Sequence, residues 1–291
     1  MSASSLLDAP GNFRLGTRTV CRMGYGAMQL AGPGVFGPPK DRAEAVAVLR
    51  EAIASGINHI DTSDYYGPFV TNEIICEALH PYPDDLVIVT KVGARRDAEG
   101  AWLPAISAKE LENAVLDNLK RLKLDALEVV NLRLMGEGLA PSEGSLEIPF
   151  TAMLELQRRG LVKHIGLSQV TRAQVEEARR LGNIACVQNM YNLARRADDP
   201  MIDGLAKLAI PYVPFFPLGG FMRLQSEVLA EVAAGLGVSP MQVALAWLLQ
   251  RAPNILLIPG TSSRAHLREN IAAAALALPS GALERLDGVG R

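Results

Sequence analysis

Two short segments of the chain carry side chains that could do acid–base chemistry. Residues 61–67 read Asp-Thr-Ser-Asp-Tyr-Tyr-Gly and residues 88–91 read Ile-Val-Thr-Lys. Each segment follows an apolar, strand-like run and precedes a helical pattern. The carboxyl ends of parallel strands meet at one rim, so Asp61, Tyr66 and Lys91 are expected to come together there. A nearby cation lowers the pKa of a phenol, and a carboxylate behind Lys91 keeps that lysine charged. The three residues therefore predict a tyrosine that protonates a carbonyl oxygen near neutral pH.

Strand and helix patterns alternate along the whole chain and would position those ends. The strand patterns are short and apolar on both faces, as buried parallel strands are. They cover residues 22–28, 58–62, 86–91, 127–133, 164–168, 185–189, 212–216 and 255–259. Eight strand patterns with helical patterns between them favour a single-domain, closed (β/α)8 TIM barrel over residues 1–291 rather than an open sheet. A hairpin pattern at 13–20, with Gly16 and Thr17 at its centre, is expected to plug the bottom of the barrel.

Four helical patterns begin with a capping box, in which a side-chain acceptor is followed three residues later by Glu or Gln. The pairs are Asp41 with Glu44, Ser107 with Glu110, Thr171 with Gln174, and Ser239 with Gln242. Four such starts in phase with the strand patterns support the alternation.

Two longer loops, at residues 32–39 and 135–147, follow the first and fourth strand patterns and are expected on the catalytic rim. The first contains Gly-Pro-Gly-Val-Phe-Gly at 32–37, which satisfies the dinucleotide pattern GxGxxG. In a dinucleotide-binding fold that turn opens a helix, whose N-terminus holds the pyrophosphate. Here Pro38 and Pro39 follow, and the next helical pattern begins near Asp41, so the motif does not predict a Rossmann domain.

The composition limits the partners of the chain. With 29 Lys and Arg against 31 Asp and Glu in 291 residues, the formal charge is −2, and no basic tract interleaved with aromatic residues indicates nucleic acid. Cys21, Cys76 and Cys186 are an odd number without a close pair, which disfavours a disulfide framework or a zinc site. We find no secretory signal and no apolar run of about 20 residues. We expect a cytoplasmic protein without a metal or a membrane anchor, either a monomer or a weak homo-oligomer.

Several motifs together resemble those of the aldo-keto reductases, which are NAD(P)H-dependent carbonyl reductases on a (β/α)8 barrel. Beside the Asp-x4-Tyr with its downstream lysine, they are Val-Lys-His-Ile-Gly-Leu-Ser-Gln at 162–169, Val-Gln-Asn-Met-Tyr-Asn at 187–192, Pro-Phe-Phe-Pro-Leu-Gly-Gly at 214–220 and the segment 258–270. The resemblance covers residues 13–270. With Gly-Tyr-Gly-Ala-Met-Gln-Leu at 24–30, the chain also resembles a bacterial subgroup associated with pyridoxal reduction.

The resemblance implies that Tyr66 is the proton donor, that Lys91 lowers its pKa and that Asp61 pairs with Lys91. The family usually places a histidine at the end of the fourth strand, where this chain has Arg133. Arginine keeps its charge, so we expect Arg133 to polarise the carbonyl oxygen or to pair with an anionic group beside it, such as the ring oxygen of pyridoxal. A structural arginine paired with a rim carboxylate is the alternative. The expected substrate contacts are Tyr25, Met28, Tyr66 and Arg133.

For the cofactor, the resemblance implies that Ser168 and Gln188 hold the nicotinamide carboxamide and that Phe215 stacks on the ring. Phe215 as a core residue of the seventh strand is the alternative. At the last strand-to-helix junction, hydroxyl groups, an arginine and free backbone N–H groups suit the 2′-phosphate of NADPH better than the bare ribose of NADH. This junction departs from the common family pattern at Gly260 and His266, where lysine and arginine often stand. The expected cofactor residues are Gly26, Ser168, Gln169, Gln188, Phe215, Pro217, Leu218, Gly219, Thr261, Ser262, Ser263, Arg264, Glu269 and Asn270.

These expectations combine into an NADPH-dependent reductase that converts a small carbonyl substrate to an alcohol, with pyridoxal, which would yield pyridoxine, as the leading candidate. Alternatives stay open. The substrate could be another aldehyde or ketone, or the chain could be a non-catalytic NADPH-binding sensor. A cofactor-free isomerase or aldolase would use Lys91 as a Schiff-base nucleophile. Taken singly, Asp61 could cap a helix, Tyr66 could be a loop aromatic and Lys91 could be solvated.

Overall fold

The chain forms a ring of parallel strands surrounded by helices, seen in a computed structural model that describes residues 3–136, 138–220 and 226–290. The strands are β1 (Asn12–Leu15), β2 (Arg18–Cys21), β3 (Tyr25–Gly26), β4 (His59–Asp61), β5 (Val87–Val92), β6 (Ala94–Arg96), β7 (Trp102–Pro104), β8 (Leu127–Arg133), β9 (Val162–Ser168) and β10 (Val187–Gln188). Within the described residues, six of them form one parallel sheet in the order β10-β9-β8-β5-β4-β3. The first six predicted barrel strands are thus confirmed to within a few residues at their ends.

The ring closes through isolated parallel bridges rather than through regular seventh and eighth strands. Tyr212 bridges both Val187 and Ile255, and Leu257 bridges Met23 at the start of the ring. The predicted strands at 212–216 and 255–259 are therefore extended wall segments that pair at single positions. The fold is TIM-barrel-like, as expected.

The predicted hairpin plug is confirmed. β1 pairs with β2 in antiparallel register, and Leu15 and Val20 join a buried apolar cluster inside the barrel. The wall residues of that cluster are Val87, Val89, Val129, Cys186, Val213, Leu256 and Ile258. At the turn, Gly16 has a φ of +62°, and a Cβ on it would lie 2.4 Å from the His164 ring. Only glycine lets the turn sit this close to the bottom of β9.

Helices cover the outer faces of the strands. Their bounds are α1 (Ala3–Asp8), α2 (Arg42–Ala54), α3 (Val70–Leu79), α4 (Ala108–Leu122), α5 (Glu147–Arg158), α6 (Arg172–Leu181), α7 (Asp199–Lys207), α8 (Glu227–Leu236), α9 (Pro240–Arg251), α10 (Arg264–Ala273) and α11 (Ser280–Asp287). The largest buried apolar cluster extends from Leu7 to Leu286 and lies between strands and helices. The GxGxxG segment contains only a 3-10 turn at Pro33–Val35. It opens no helix, as expected.

Three of the four predicted capping boxes are complete, at Ser107, Thr171 and Ser239. The fourth is half formed. The Asp41 side chain accepts from the backbone N–H of Glu44 at 2.9 Å, but the Glu44 carboxylate bonds to Arg264 instead of closing the box. The reason is a tertiary contact: the charged guanidinium of Arg264 is a stronger hydrogen-bond donor to the carboxylate than the backbone N–H of Asp41.

A small hairpin after β5 was not expected from the sequence. β6 pairs with β7 in antiparallel register, and Arg96 stands opposite Trp102. The expected loop at 135–147 is present up to the start of α5, although Glu137 lies outside the described residues.

Candidate active site

The centre of the candidate site is a buried ion pair between neighbouring strands. Lys91 Nζ in β5 donates to Asp61 Oδ1 at the end of β4 over 2.5 Å, and also to the Thr62 carbonyl oxygen over 2.9 Å. The Lys91 and Asp61 side chains are only 3% and 5% exposed. Charges removed from water need a charged or hydrogen-bonding partner, so each side chain fixes the other.

The pair continues across the barrel interior to a third side chain. Gln188, at the end of β10, donates from Nε2 to Asp61 Oδ2 over 2.8 Å. Gln188 Oε1 is buried and has no hydrogen-bond partner among the described residues. A buried acceptor without a donor is costly. This oxygen is therefore suited to accept from an amide N–H of a bound molecule.

Tyr66 stands beside the ion pair. Its ring centroid lies 5.0 Å from Lys91 Nζ, and the residue is 7% exposed. Burial and the Asp61 carboxylate raise the pKa of Tyr66 well above its ordinary value, and the Arg133 guanidinium lowers it. This differs from the expectation that Lys91 lowers the pKa, because Asp61 offsets the charge of Lys91. Tyr66 therefore holds its proton at neutral pH.

Arg133, at the end of β8, is held by neutral partners. Its guanidinium donates to Ser168 Oγ over 3.2 Å and to Gln169 Oε1 over 2.6 Å. The guanidinium carbon also lies 5.2 Å from the centroid of the Phe215 ring. Within the described part of the chain, no carboxylate pairs with Arg133, so the alternative of a structural salt bridge finds no support. Its positive charge is available to the cavity that it lines.

Ser168 and Gln169 are buried behind Arg133 and do not line the cavity. Gln169 Nε2 donates to the carbonyl oxygens of Gly138 and Ala140, over 3.2 and 3.0 Å. Gln169 thus connects Arg133 to the loop after β8. The expected contact of Gln169 with the cofactor stays a prediction.

A cavity of about 620 Å³ opens above these groups. Its volume suits a small organic ligand, and its walls combine apolar and aromatic side chains with a few polar ones. The lining residues are Gly26, Met28, Gln29, Asp61, Tyr65, Tyr66, Lys91, Trp102, Arg133, Met135, Gly136, Gly138, Leu139, Gln188, Phe215, Phe216, Pro217, Leu218, Gly220, Ile258, Pro259 and Gly260.

Tyr25, expected to contact the substrate, does not line this cavity. It is fully buried, and its hydroxyl donates to the Thr261 carbonyl oxygen over 2.5 Å. Successive side chains of a strand point to opposite faces, and its neighbour Gly26 borders the cavity, so Tyr25 faces the helices. Gly26 itself approaches the last strand segment so closely that a Cβ would lie 2.5 Å from the Ile258 carbonyl oxygen.

An aromatic wall of Tyr65 and Trp102 closes one side of the cavity. Tyr65 packs edge-on against both Tyr66 and Trp102, with ring centroids 5.4 Å apart in each case. The Arg96 guanidinium lies 4.1 Å from the Trp102 ring centroid and 5.2 Å from that of Phe36. Arg96 also donates to the carbonyl oxygens of Gly100, Val35 and Gly34. Arg96 thereby joins the β6–β7 hairpin to the loop after β3.

The expected phosphate-binding residues lie at the start of α10, outside the cavity just described. Thr261 is buried, and its Oγ1 accepts from the backbone N–H of Ser263 over 3.0 Å. Ser262 and Arg264 are exposed, and Arg264 is paired with Glu44 of α2. Farther along the same helix, Glu269 is exposed and Asn270 is buried.

The seventh wall segment and the residues after it border the cavity with Phe215, Pro217 and Leu218. Gly219 is not a lining residue, but its φ of +95° turns the chain there. Residues 221–225, which follow, lie outside the described residues.

Three further buried groups near the strand ends have shifted pKa values. Burial lowers the pKa of His59 to about 4. Burial also raises the pKa of Asp64 to about 7, although the Ser63 hydroxyl donates to it over 3.3 Å and lowers it. Cys186 is fully buried and its pKa is raised to about 12 by burial, so its thiol is not a nucleophile.

Among the described residues, no group of three or more His, Cys, Asp or Glu side chains could hold a metal ion. In the same residues, no single helix is long and apolar enough to cross a membrane, and the one helix pair that passes together, Glu227–Leu236 with Pro240–Arg251, is bent by 97°. Cys21, Cys76 and Cys186 are free thiols.

The chain is similar to known proteins over nearly its whole length. A model of the aldo/keto reductase family matches residues 22–291. The chain is 66% identical to a pyridoxine 4-dehydrogenase of Escherichia coli (strain K12), over 96% of this chain and 98% of that protein. Among solved structures, a thermostable aldo-keto reductase in complex with the inhibitor epalrestat is 30% identical, with a TM-score of 0.79 over 95% of this chain and 98% of that one. An aldo/keto reductase from Klebsiella pneumoniae in complex with NADP and acetate is 25% identical, with a TM-score of 0.75 over 95% and 94%.

Proposed function

The chain belongs to the aldo/keto reductase family of oxidoreductases, and from this premise we propose that it reduces pyridoxal to pyridoxine with NADPH. The observation that carries the proposal is the buried Lys91–Asp61 ion pair, with Tyr66 beside it, at the floor of an aromatic cavity. This arrangement presents a protonated phenol to a carbonyl oxygen, and the Arg133 guanidinium, which lowers the pKa of Tyr66, is near enough to stabilise the phenolate left behind.

The residues present fit a nicotinamide cofactor. The orphaned Gln188 Oε1 suits the carboxamide N–H group. The close approach of Gly26 to the last strand segment leaves backbone, not side chain, along one side of the cavity. Phe215 offers an aromatic face, and the start of α10 offers backbone N–H groups and Arg264 to a phosphate. The reductase from Klebsiella pneumoniae bound to NADP is a relative in which such a cofactor is held.

Pyridoxal as the substrate is supported by the relative from Escherichia coli and by the charge of Arg133. Pyridoxal carries a largely anionic ring oxygen beside its aldehyde. Arg133 has neutral partners and no carboxylate of its own among the described residues, so its guanidinium can bond to that oxygen. Tyr65 and Trp102 supply the apolar walls that an aromatic ring requires.

In the proposed reaction, Gln188 and Phe215 would hold a nicotinamide, which when bound would supply the hydride for the carbonyl carbon. Tyr66 gives its phenolic proton to the carbonyl oxygen, which completes the alcohol. Asp61 fixes Lys91 so that Nζ lies 5.0 Å from the Tyr66 ring centroid, beside the phenolate that this transfer leaves. Arg133 orients the substrate and also favours that phenolate, as its effect on the pKa of Tyr66 indicates. Solvent then returns a proton to Tyr66. We further propose that the enzyme works in the cytoplasm as a monomer or a weak homo-oligomer.

The test measures NADPH oxidation at neutral pH with pyridoxal and with benzaldehyde, for the wild type and for Tyr66→Phe. Turnover of pyridoxal that Tyr66→Phe abolishes, with a preference over benzaldehyde, would support the proposal. Turnover that survives the loss of the hydroxyl would exclude Tyr66 as the acid. NADPH binding without turnover of either aldehyde would favour another carbonyl substrate or the sensor.

A further inference from the structure

The first turn of α10 is capped by a carboxylate from another helix. Ser263 at the N-cap makes no side-chain capping hydrogen bond. Instead, Glu44 Oε1 accepts from the backbone N–H of Arg264 over 3.4 Å, and both Glu44 oxygens accept from Arg264 Nε over 3.2 Å. Arg264 Nη2 also lies 3.2 Å from Glu44 Oε2. One carboxylate thus takes both the guanidinium and the helix N–H group that an anion would use.

Glu44 gives up a local hydrogen bond to reach this position. The third helical residues of the complete capping boxes, Glu110, Gln174 and Gln242, accept from their N-cap backbone N–H groups over 3.1, 2.8 and 3.0 Å. Glu44 occupies the same place in α2, yet its carboxylate bonds to a residue 220 positions away. The Glu44 carboxylate therefore lies at the start of α10, where a guanidinium and the helix N-terminus favour an anion.

We propose that Glu44 is an internal competitor for the adenosine 2′-phosphate and thereby limits the selectivity for NADPH over NADH. The inference rests on the proposed function only in taking Arg264 and its neighbours as the adenosine end of the cofactor site. A 2′-phosphate there displaces the Glu44 carboxylate or lies beside a like charge. NADH carries no phosphate at that position and leaves the pair intact.

The exposure of the pair makes such an exchange feasible. The Arg264 and Glu44 side chains are 49% and 31% exposed. An ion pair this accessible to water is weak, and a phosphate carries more charge and more acceptor oxygens than a carboxylate. The cost of displacing Glu44 then appears as a loss of NADPH affinity that NADH does not share.

The experiment is calorimetric titration of NADPH, NADH and 2′,5′-adenosine diphosphate into the wild type and into Glu44→Gln. Glutamine keeps the size of the side chain and removes its charge. We expect Glu44→Gln to bind NADPH and the diphosphate about 5-fold more tightly, the factor that corresponds to one weak exposed ion pair. NADH affinity should not change.

The chain offers a matched control in the same helix interface. Glu51 of α2 pairs with Arg268 of α10 over 2.6 Å, with side chains 22% and 67% exposed. Glu51→Gln removes a comparable α2–α10 ion pair one turn away from the helix start. It should leave the affinity for all three ligands unchanged. This result would show that tighter NADPH binding in Glu44→Gln does not come merely from weaker packing between α2 and α10.

Unchanged or weaker NADPH binding in Glu44→Gln would overturn the inference, because Glu44 would then be inert or would position Arg264 for the phosphate. Equal tightening of NADH would overturn it as well. Since no carbonyl substrate is present, a failure to reduce pyridoxal would remove the proposed substrate without affecting this result. A wild type that binds no NADPH would overturn both proposals.

Discussion

Removing one half of the buried Lys91–Asp61 pair should destabilise the barrel more than removing both halves. The variants are Asp61→Asn, Lys91→Met and the double substitution. Each single change leaves one charge without its counter-charge in a place largely shielded from water, since Lys91 and Asp61 are 3% and 5% exposed. The double variant holds no charge at all and keeps the side-chain volumes similar.

The expected cost of a single change is about 3–5 kcal/mol of unfolding free energy, the range for an uncompensated buried charge. Within that range, the loss in each single variant depends on the hydrogen-bond partners that its remaining charge keeps. After Lys91→Met, the Asp61 carboxylate keeps the Gln188 donor at 2.8 Å. After Asp61→Asn, Lys91 keeps the Thr62 carbonyl oxygen at 2.9 Å and the new amide oxygen. The double variant should lose less than about 2 kcal/mol, because no charge remains to be desolvated.

The assay is urea unfolding followed by the fluorescence of Trp102 and Trp247, with kcat/KM for pyridoxal measured on the same preparations. All three variants should lose at least about 100-fold in kcat/KM, since the acid–base contribution is of that order. Glu51→Gln, which breaks the exposed pair with Arg268, serves as the control and should cost much less than either single change.

Two results would refute this reasoning. If the double variant loses the sum of the two single losses, the side chains are not energetically coupled in the way that their contact implies. If Lys91→Met is no more destabilising than Glu51→Gln, the pair is not a buried ionic one. Stable variants without activity would still support the catalytic role.

Three other outcomes are expected. Arg133→His should lower kcat/KM for pyridoxal at least about 10-fold more than for benzaldehyde, because a hydrogen bond between charged groups is lost, and equal losses on both would count against the pairing. Below pH 6.5 His59 takes up a proton in the unfolded chain, whereas in the folded chain it stays neutral down to about pH 4. The stability of the wild type therefore falls as the pH drops from 6.5 to about 4. His59→Leu lacks this titration, so its unfolding free energy should rise relative to that of the wild type by on the order of 3 kcal/mol over the same window. The raised pKa of Asp64 acts in the opposite sense, with stability lost as pH rises from 3.8 to about 7, and Asp64→Asn should become progressively more stable than wild type over that range in urea titrations.

The barrel and its chemical centre could be foreseen because their signals are local. The apolar runs before Asp61 and before Lys91 each predict a strand that ends at that residue. The carboxyl ends of parallel barrel strands lie at the same face, so the two side chains are predicted to be close. Ser107, Thr171 and Ser239 likewise form complete capping boxes because both partners lie within one turn.

The remaining features depend on contacts between distant segments. Glu44 has the same capping-box sequence pattern as Glu110, but the carboxylate of Glu44 accepts a hydrogen bond from Arg264 instead of closing the box. The β6–β7 hairpin has only three residues in each strand, too few for a readable alternation, and its position depends on Arg96 packing between Trp102 and Phe36. Tyr25 could have been assigned correctly, since the alternation of a strand places it opposite Gly26.

The hairpin at the bottom of the barrel has a consequence for the timing of proton uptake. Leu15 and Val20 fill the lower end together with an apolar layer that includes Val129, so in the part of the chain that the structure describes Tyr66 is reached from the upper cavity. A ligand bound in that cavity would lie between the Tyr66 hydroxyl and solvent. The proton delivered would then be the one that Tyr66 already holds, and we expect its replacement from solvent to follow product release.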